Sequence, residues 1–301
     1  MLNTYVIEGG IGKCTAFTAL IPALAKKAGQ GIQIYTPYID CYANNPEVSM
    51  AFEQSLPITD PRIMASDNIH YCEPYKSNFV FGKQHIIEAY CELFGVKYDP
   101  SMTPKLYTTH HKERAKEWLE KNGITGKYMF VQFSGGQTPV GWNPNNAYTS
   151  SNPSRNYPTY LAQQVVSLLR AEFPNVTIID ATLPNEPSFA GAIKCPEHWP
   201  VIHEMLKGAE GFVSIDSCLQ HFSASAKKAG VVIWASTRWT QFGYTHNTNL
   251  HFHMKDKWDD SKFDPNDPRN IMVDPALVVK AYKDKIAKGN KVVDNVRCLT
   301  A

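Results

Sequence analysis

The chain has 301 residues, of which 43% are hydrophobic, 19% charged and 12% aromatic. That make-up excludes a disordered or low-complexity protein and leaves room for two domains of about 100–200 residues, each with its own core. Thirty basic against 28 acidic residues give a net charge of +2, which supplies no broad electrostatic footprint for nucleic acid or an anionic membrane.

No apolar run reaches the ~18 residues of a membrane span, and the opening MLNTYVIEGG carries no basic segment followed by an apolar one. The seven scattered cysteines, Cys14, Cys41, Cys72, Cys91, Cys195, Cys218 and Cys298, include no C-x-x-C pair. They describe neither a disulfide framework nor a zinc site. The expectation is a protein of the reducing cytoplasm with no integral membrane association.

In chain order, Thr4 to Glu8 is a short run of β-formers, followed by Gly9, Gly10 and Gly12 and a helical pattern from Cys14 to Ala28. Ile32 to Tyr35 then supplies a second strand and completes a βαβ unit with a right-handed crossover. Helices are expected at Pro46 to Gln54 and Gln84 to Phe94, and a third at Lys112 to Asn122 ends on Asn122-Gly123, a natural helix stop. The domain boundary is placed close to Gly123–Lys127, giving domains 1–125 and 126–301.

The second domain opens as the first does, with a strand from Tyr128 to Phe133 running into Ser134-Gly135-Gly136. After a polar, proline-containing loop from Gln137 to Pro153 come a helix (Tyr157 to Glu172), a strand (Val176 to Ile179) and a helix (Val201 to Lys207). A strand (Phe212 to Ile215), a helix (Leu219 to Ala229) and a strand (Val231 to Trp234) follow. This alternation implies a parallel sheet covered by helices on both faces, with its ligand off the carboxyl ends of the strands. A charged helix from Pro275 to Lys288 closes the chain and is a candidate to pack back on the N-terminal domain.

The segment FVSIDSCLQHFSASAKKAGVVIWAST, Phe212 to Thr237, puts Asp216, Ser217 and His221 at a strand end and in the first turns of a helix. Unpaired backbone N–H groups and the positive end of the helix dipole make such a turn suited to phosphate. Asp216 and Ser217 can equally serve only as helix caps.

The run D-S-x-L-x-H followed by an apolar strand and A-S-T resembles the donor-site signature of the lipopolysaccharide heptosyltransferase-like family of GT-B glycosyltransferases, glycosyltransferase family nine. Pro22-Ala23-Leu24, the turn from Val131 to Gly136 and Arg155-Asn156-Tyr157-Pro158 match further landmarks in the family's order. The resemblance implies an α/β chain of the GT-B type, two Rossmann-like domains facing a central cleft, the C-terminal one holding a nucleotide-sugar donor. It implies that Ser134, Gly135 and Gly136 line the donor pocket and that Arg155 faces the diphosphate. It also implies that Asp216 lies near the donor sugar or ribose, and that Ser217, His221 and Thr237 surround the phosphates. The reaction implied is a metal-independent, inverting transfer that needs no cofactor beyond the donor.

One departure stands out. The family places an Asp, taken as the general base, directly after the glycine of the first loop, where this chain has Lys13. A protonated lysine cannot accept the acceptor's proton. Glu8 and Asp40 are then the candidate bases, and Lys13 is a candidate contact for a phosphate on the acceptor. The acceptor expected is either a saccharide of the lipopolysaccharide type or a hydroxylated base in phage DNA.

Lys13 also raises two alternatives. A chain without the usual base could be a non-catalytic nucleotide-sugar-binding protein. EGGIGKCT also resembles the phosphate loop of partition-type ATPases, although the first glycine is out of place and Cys14 replaces the magnesium-binding hydroxyl. His110-His111 and the alternating His251 and His253 are weak metal candidates without further ligands. Trp234, Trp239, Phe242 and Tyr244 are candidates to stack on a base or sugar, or to pack the domain junction.

Overall fold

The computed structural model describes residues 2–75, 77–135, 155–182, 186–252, 264 and 267–288. Gly136, the loop from Gln137 to Pro153, His253 and Cys298 lie outside these. The chain divides into two units, one comprising the described residues up to Thr108 and the other those from Thr109 on.

The first unit runs β1 (Asn3–Val6), α1 (Ile11–Phe17), α2 (Ile21–Ala28), β2 (Ile32–Thr36), β3 (Val48–Glu53), α3 (Pro61–Met64), β4 (Asn68–Tyr71), α4 (Ser77–Val80) and α5 (Ile86–Leu93). Its sheet has the order β3-β2-β1-β4 with every pair parallel. The two strands flanking β1 therefore lie on opposite sides of it, which makes the β1/β4 edge a topological switch point, where ligands of open α/β sheets bind.

Two expectations are corrected here. The helix expected over Cys14 to Ala28 is two helices, because the chain leaves helical bonding around Thr18–Leu20 and restarts with Pro22 in the first turn of α2, where a missing N–H costs nothing. The helix expected over Pro46 to Gln54 is strand β3, whose residues bond to β2. Its apolar residues fit either period, and pairing with the fully buried β2 decides between them.

The second unit runs α6 (Lys112–Lys121), β5 (Lys127–Gln132), α7 (Thr159–Glu172), β6 (Val176–Asp180), β7 (Ile193–Lys194), α8 (Trp199–Gly208), β8 (Phe212–Ile215), α9 (Cys218–Ser225), β9 (Gly230–Ile233), α10 (Trp239–Phe242), β10 (Thr248–Leu250) and α11 (Pro275–Ala287). The stop expected after α6 is present: Asn122 caps the helix and Gly123 follows at φ +68°. The sheet order is β10-β9-β8-β5-β6-β7, again all parallel, with the switch point between β5 and β8.

Met129, Val131, Val213, Ile215, Val231 and Ile233 from the central strands pack with α7 and α11 in one core. Each such buried aliphatic side chain contributes roughly 1.5–3 kcal/mol, which holds the strand ends in a fixed register. α11 lies against α7 and against β9 and β10. No helix among the described residues is long and apolar enough to cross a membrane, and the six described cysteines form no disulfide.

Candidate functional site

At the switch point of the second sheet, β5 leads into Ser134 and Gly135, and β8 into Asp216 and Ser217. The segment Arg155–Tyr157 is clamped over the end of β5: Tyr157 N donates to Phe133 O at 2.9 Å and Gly135 N to Asn156 Oδ1 at 3.0 Å. The approach of the two turns is close, since a Cβ on Gly135 would sit 3.1 Å from Ser217 Oγ.

Asp216 is the hub. Its Oδ1 accepts from Gln220 Nε2 at 2.8 Å, its Oδ2 from Thr237 Oγ1 at 2.5 Å, and Arg155 Nη1 stands 3.6 Å from Oδ2. The carboxylate is 7% exposed and Arg155 27%, so the guanidinium leans out from a buried anchor. Its buried Nε has no hydrogen-bond partner among the described residues. Ser217 is the N-cap residue of α9 but makes no capping hydrogen bond through its hydroxyl.

The structure thus brings Gly135, Arg155, Asp216, Ser217 and Thr237 together, with Ser134 half-buried beside them. His221 lies on the same helix but is buried, with Nδ1 2.8 Å from Tyr244 Oη. Burial pushes its imidazole down to about 3, so it is neutral at physiological pH. Gln220 and Asn156 were not legible as site residues, although the i, i+4 spacing from Asp216 to Gln220 is a signal that helix geometry explains. Of the aromatic candidates, Trp234 and Tyr244 are buried, whereas Trp239 and Phe242 are half-buried.

The switch point of the first sheet lies between the loop after β1 and the turn after β4. Gly9 adopts φ +99°, a conformation that favours glycine, and a Cβ there would crowd the lysine stem, meeting Lys13 Cδ at 3.1 Å. Lys13 is 8% exposed; its Nζ is 3.1 Å from Glu73 Oε2 and 4.7 Å from the centre of the Tyr75 ring. Glu73 carries no sequence signal of its own. Of the carboxylates expected here, Glu8 is exposed and accepts from Gln54 Nε2 at 3.1 Å, and Asp40 is exposed on the 3-10 turn Ile39–Cys41. Cys14, where a phosphate loop would place its hydroxyl, is fully buried with Sγ 3.5 Å from Thr36 Oγ1. Among the described residues no group of three His, Cys, Asp or Glu side chains is arranged to hold a metal ion.

Two parallel, doubly wound units in succession, each with its switch point at the strand ends, are the architecture of the GT-B glycosyltransferases, and the chain has that fold. The similarity extends over almost the whole chain. A glycosyl transferase family 9 protein from Veillonella parvula superimposes with a TM-score of 0.69 at 12% identity, covering 95% of this chain and 97% of its own. The ADP-heptose LPS heptosyltransferase II of E. coli gives 0.61 at 11% identity, covering 96% and 99%. The iron-containing dodecameric heptosyltransferase TibC of E. coli, in complex with ADP-D-β-D-heptose, gives 0.61 at 13% identity, covering 96% and 77%. No family model matches the sequence, and no curated protein matches it either.

Proposed function

We propose that this chain is a heptosyltransferase-like glycosyltransferase that moves a sugar from a nucleoside diphosphate sugar to an acceptor hydroxyl by direct displacement with inversion. The observation that carries the reading is the Arg155–Asp216 pair at the switch point of the second sheet, beside the N-terminus of α9. As the bond from the anomeric carbon to the diphosphate breaks, negative charge builds on the leaving oxygen. A guanidinium anchored on one side by Asp216 and partly exposed on the other can meet that charge, and the first N–H groups of α9 add to it. These groups can do so without a metal ion, so the transfer is expected to proceed in EDTA.

In this reading Ser134 and Gly135, with Gly136, line the donor pocket, and Ser217 and Thr237 approach the phosphates. Asp216 sets the guanidinium, and His221 supports α9 through Tyr244. The donor to try first is ADP-heptose, which the solved neighbours of the same fold are named for. The acceptor proposed is a saccharide of the lipopolysaccharide type. A hydroxylated DNA base is the rival acceptor, and the small net charge speaks against a duplex-binding surface.

Lys13 favours one second reading, a nucleotide-sugar-binding protein without turnover, because it occupies the base's position in the first loop. The ATPase reading loses ground, since the Lys13 ammonium is engaged by Glu73 and Tyr75 and Cys14 is buried.

The test is thermal unfolding against ADP, UDP, GDP, CMP, dTDP and ATP, each with Mg²⁺ or EDTA, followed by release of nucleoside diphosphate from the matching sugar donor. Stabilisation by one diphosphate in EDTA together with turnover supports the transferase. Stabilisation without turnover supports the binding protein, and stabilisation by ATP only with Mg²⁺ overturns both.

A further inference from the structure

Resting on the sugar-transfer reading, we propose that Glu73 is the proton acceptor for the incoming hydroxyl, and that Lys13 is its positioning residue. Glu73 follows β4, Lys13 follows β1, and the two strands pair in parallel from Asn3↔Asn68 to Val6↔Tyr71. Their loops therefore leave the same end of the sheet at the point where the strand order reverses, the place where a ligand of such a sheet is met.

The carboxylate there is both oriented and accessible. Its Oε1 accepts from Tyr75 N at 3.1 Å and its Oε2 from Lys13 Nζ at 3.1 Å, which fixes the plane of the group. An ionised carboxylate has about four lone-pair sites, so two bonds leave capacity for a hydroxyl, and Glu73 is 51% exposed. Lys13, by contrast, is 8% exposed and lies against the Tyr75 ring, so its ammonium faces inward as a brace. Glu8 receives one bond, from Gln54, and has no comparable orientation.

In the step, the acceptor O–H proton passes to a Glu73 oxygen while the acceptor oxygen bonds to the anomeric carbon. The bond from that carbon to the donor diphosphate breaks, its electron pair stays on the departing oxygen, and Glu73 later returns the proton to water.

The experiment uses the full chain with ADP-heptose, and UDP-glucose and GDP-mannose as further donors, water as the acceptor and nucleoside diphosphate release as the readout. Glu73→Gln is expected to lower kcat roughly 100-fold or more, with the donor KM and the thermal stabilisation by ADP unchanged. The acid limb of the kcat/KM profile should disappear with it, and Glu73→Asp should keep part of the rate. A Glu73→Gln rate within about twofold of an active wild type, or a loss of ADP stabilisation equal to the loss of rate, overturns the assignment alone. Binding of a nucleoside diphosphate by the wild type without turnover overturns it as well. A wild type that neither binds any nucleoside diphosphate nor turns over any of the three donors overturns the transfer reading itself, and the role of Glu73 with it.

Discussion

The Arg155 guanidinium is tied to the carboxylate of Asp216, 61 positions further along the chain, at 3.6 Å. At that distance the contact is an ion pair rather than a hydrogen bond, and Asp216 is held in turn by Gln220 and Thr237. Asp216→Ala leaves two hydrogen-bond donors, Gln220 and Thr237, without their acceptor and removes the ion-pair partner of Arg155 in a part-buried setting. The expected cost is about 2 kcal/mol in a urea unfolding curve, together with loss of the ADP-induced thermal shift. Unchanged stability and an unchanged shift would remove the pair from the donor site.

Arg155→Lys separates charge from shape. Lysine keeps the positive charge but not the planar fork that pairs with phosphate oxygens. Since Arg155 is partly exposed, stability should move by less than about 1 kcal/mol. The affinity for ADP, measured by titration calorimetry, should fall at least several-fold.

Gly135 tests the approach of the two turns. A methyl group there meets Ser217 Oγ at 3.1 Å, tight enough to push the hydroxyl aside. Gly135→Ala should weaken ADP binding with little change in the unfolding midpoint, and Ser217→Gly in the same chain should relieve the crowding. Additive effects in that double-mutant cycle would show that the two residues do not share a site.

Three buried histidines are expected to make stability fall in acid. Burial pushes His203 and His221 down to about 3 and His246 to about 4, whereas the unfolded groups titrate near 6.5. Between those values the unfolded chain binds more protons than the folded one, so stability falls as pH drops through about 6.5 and is complete above it. Each group contributes a slope approaching 1.4 kcal/mol per pH unit within that window. Urea midpoints should decline between pH 7.5 and 5.5, and His221→Gln, which can keep a bond to Tyr244, should make the decline shallower. Midpoints indifferent to pH over this range would contradict the buried, neutral state of these rings.

The sequence by itself determined the parts that repeat locally. Strand, glycine turn and helix recur at Thr4 and at Tyr128, the β/α alternation of the second unit predicts its parallel sheet, and D-S-x-L-x-H marks the turn after β8. All rest on periods of two or 3.6 residues and on glycine punctuation, which neighbouring residues carry among themselves. Tertiary structure decided the rest. β3 reads as a helix until β2 offers its bonding edge, and β4 and β10 are too short and mixed to be seen before a partner strand pairs with them. Lys13 finds Glu73 60 positions away because β1 and β4 are neighbours in the sheet, and Asp216 finds Arg155 because β5 and β8 are. A carboxylate's partners depend on which strands lie side by side, and that adjacency is set by burial of the whole sheet rather than by any residue's sequence neighbours.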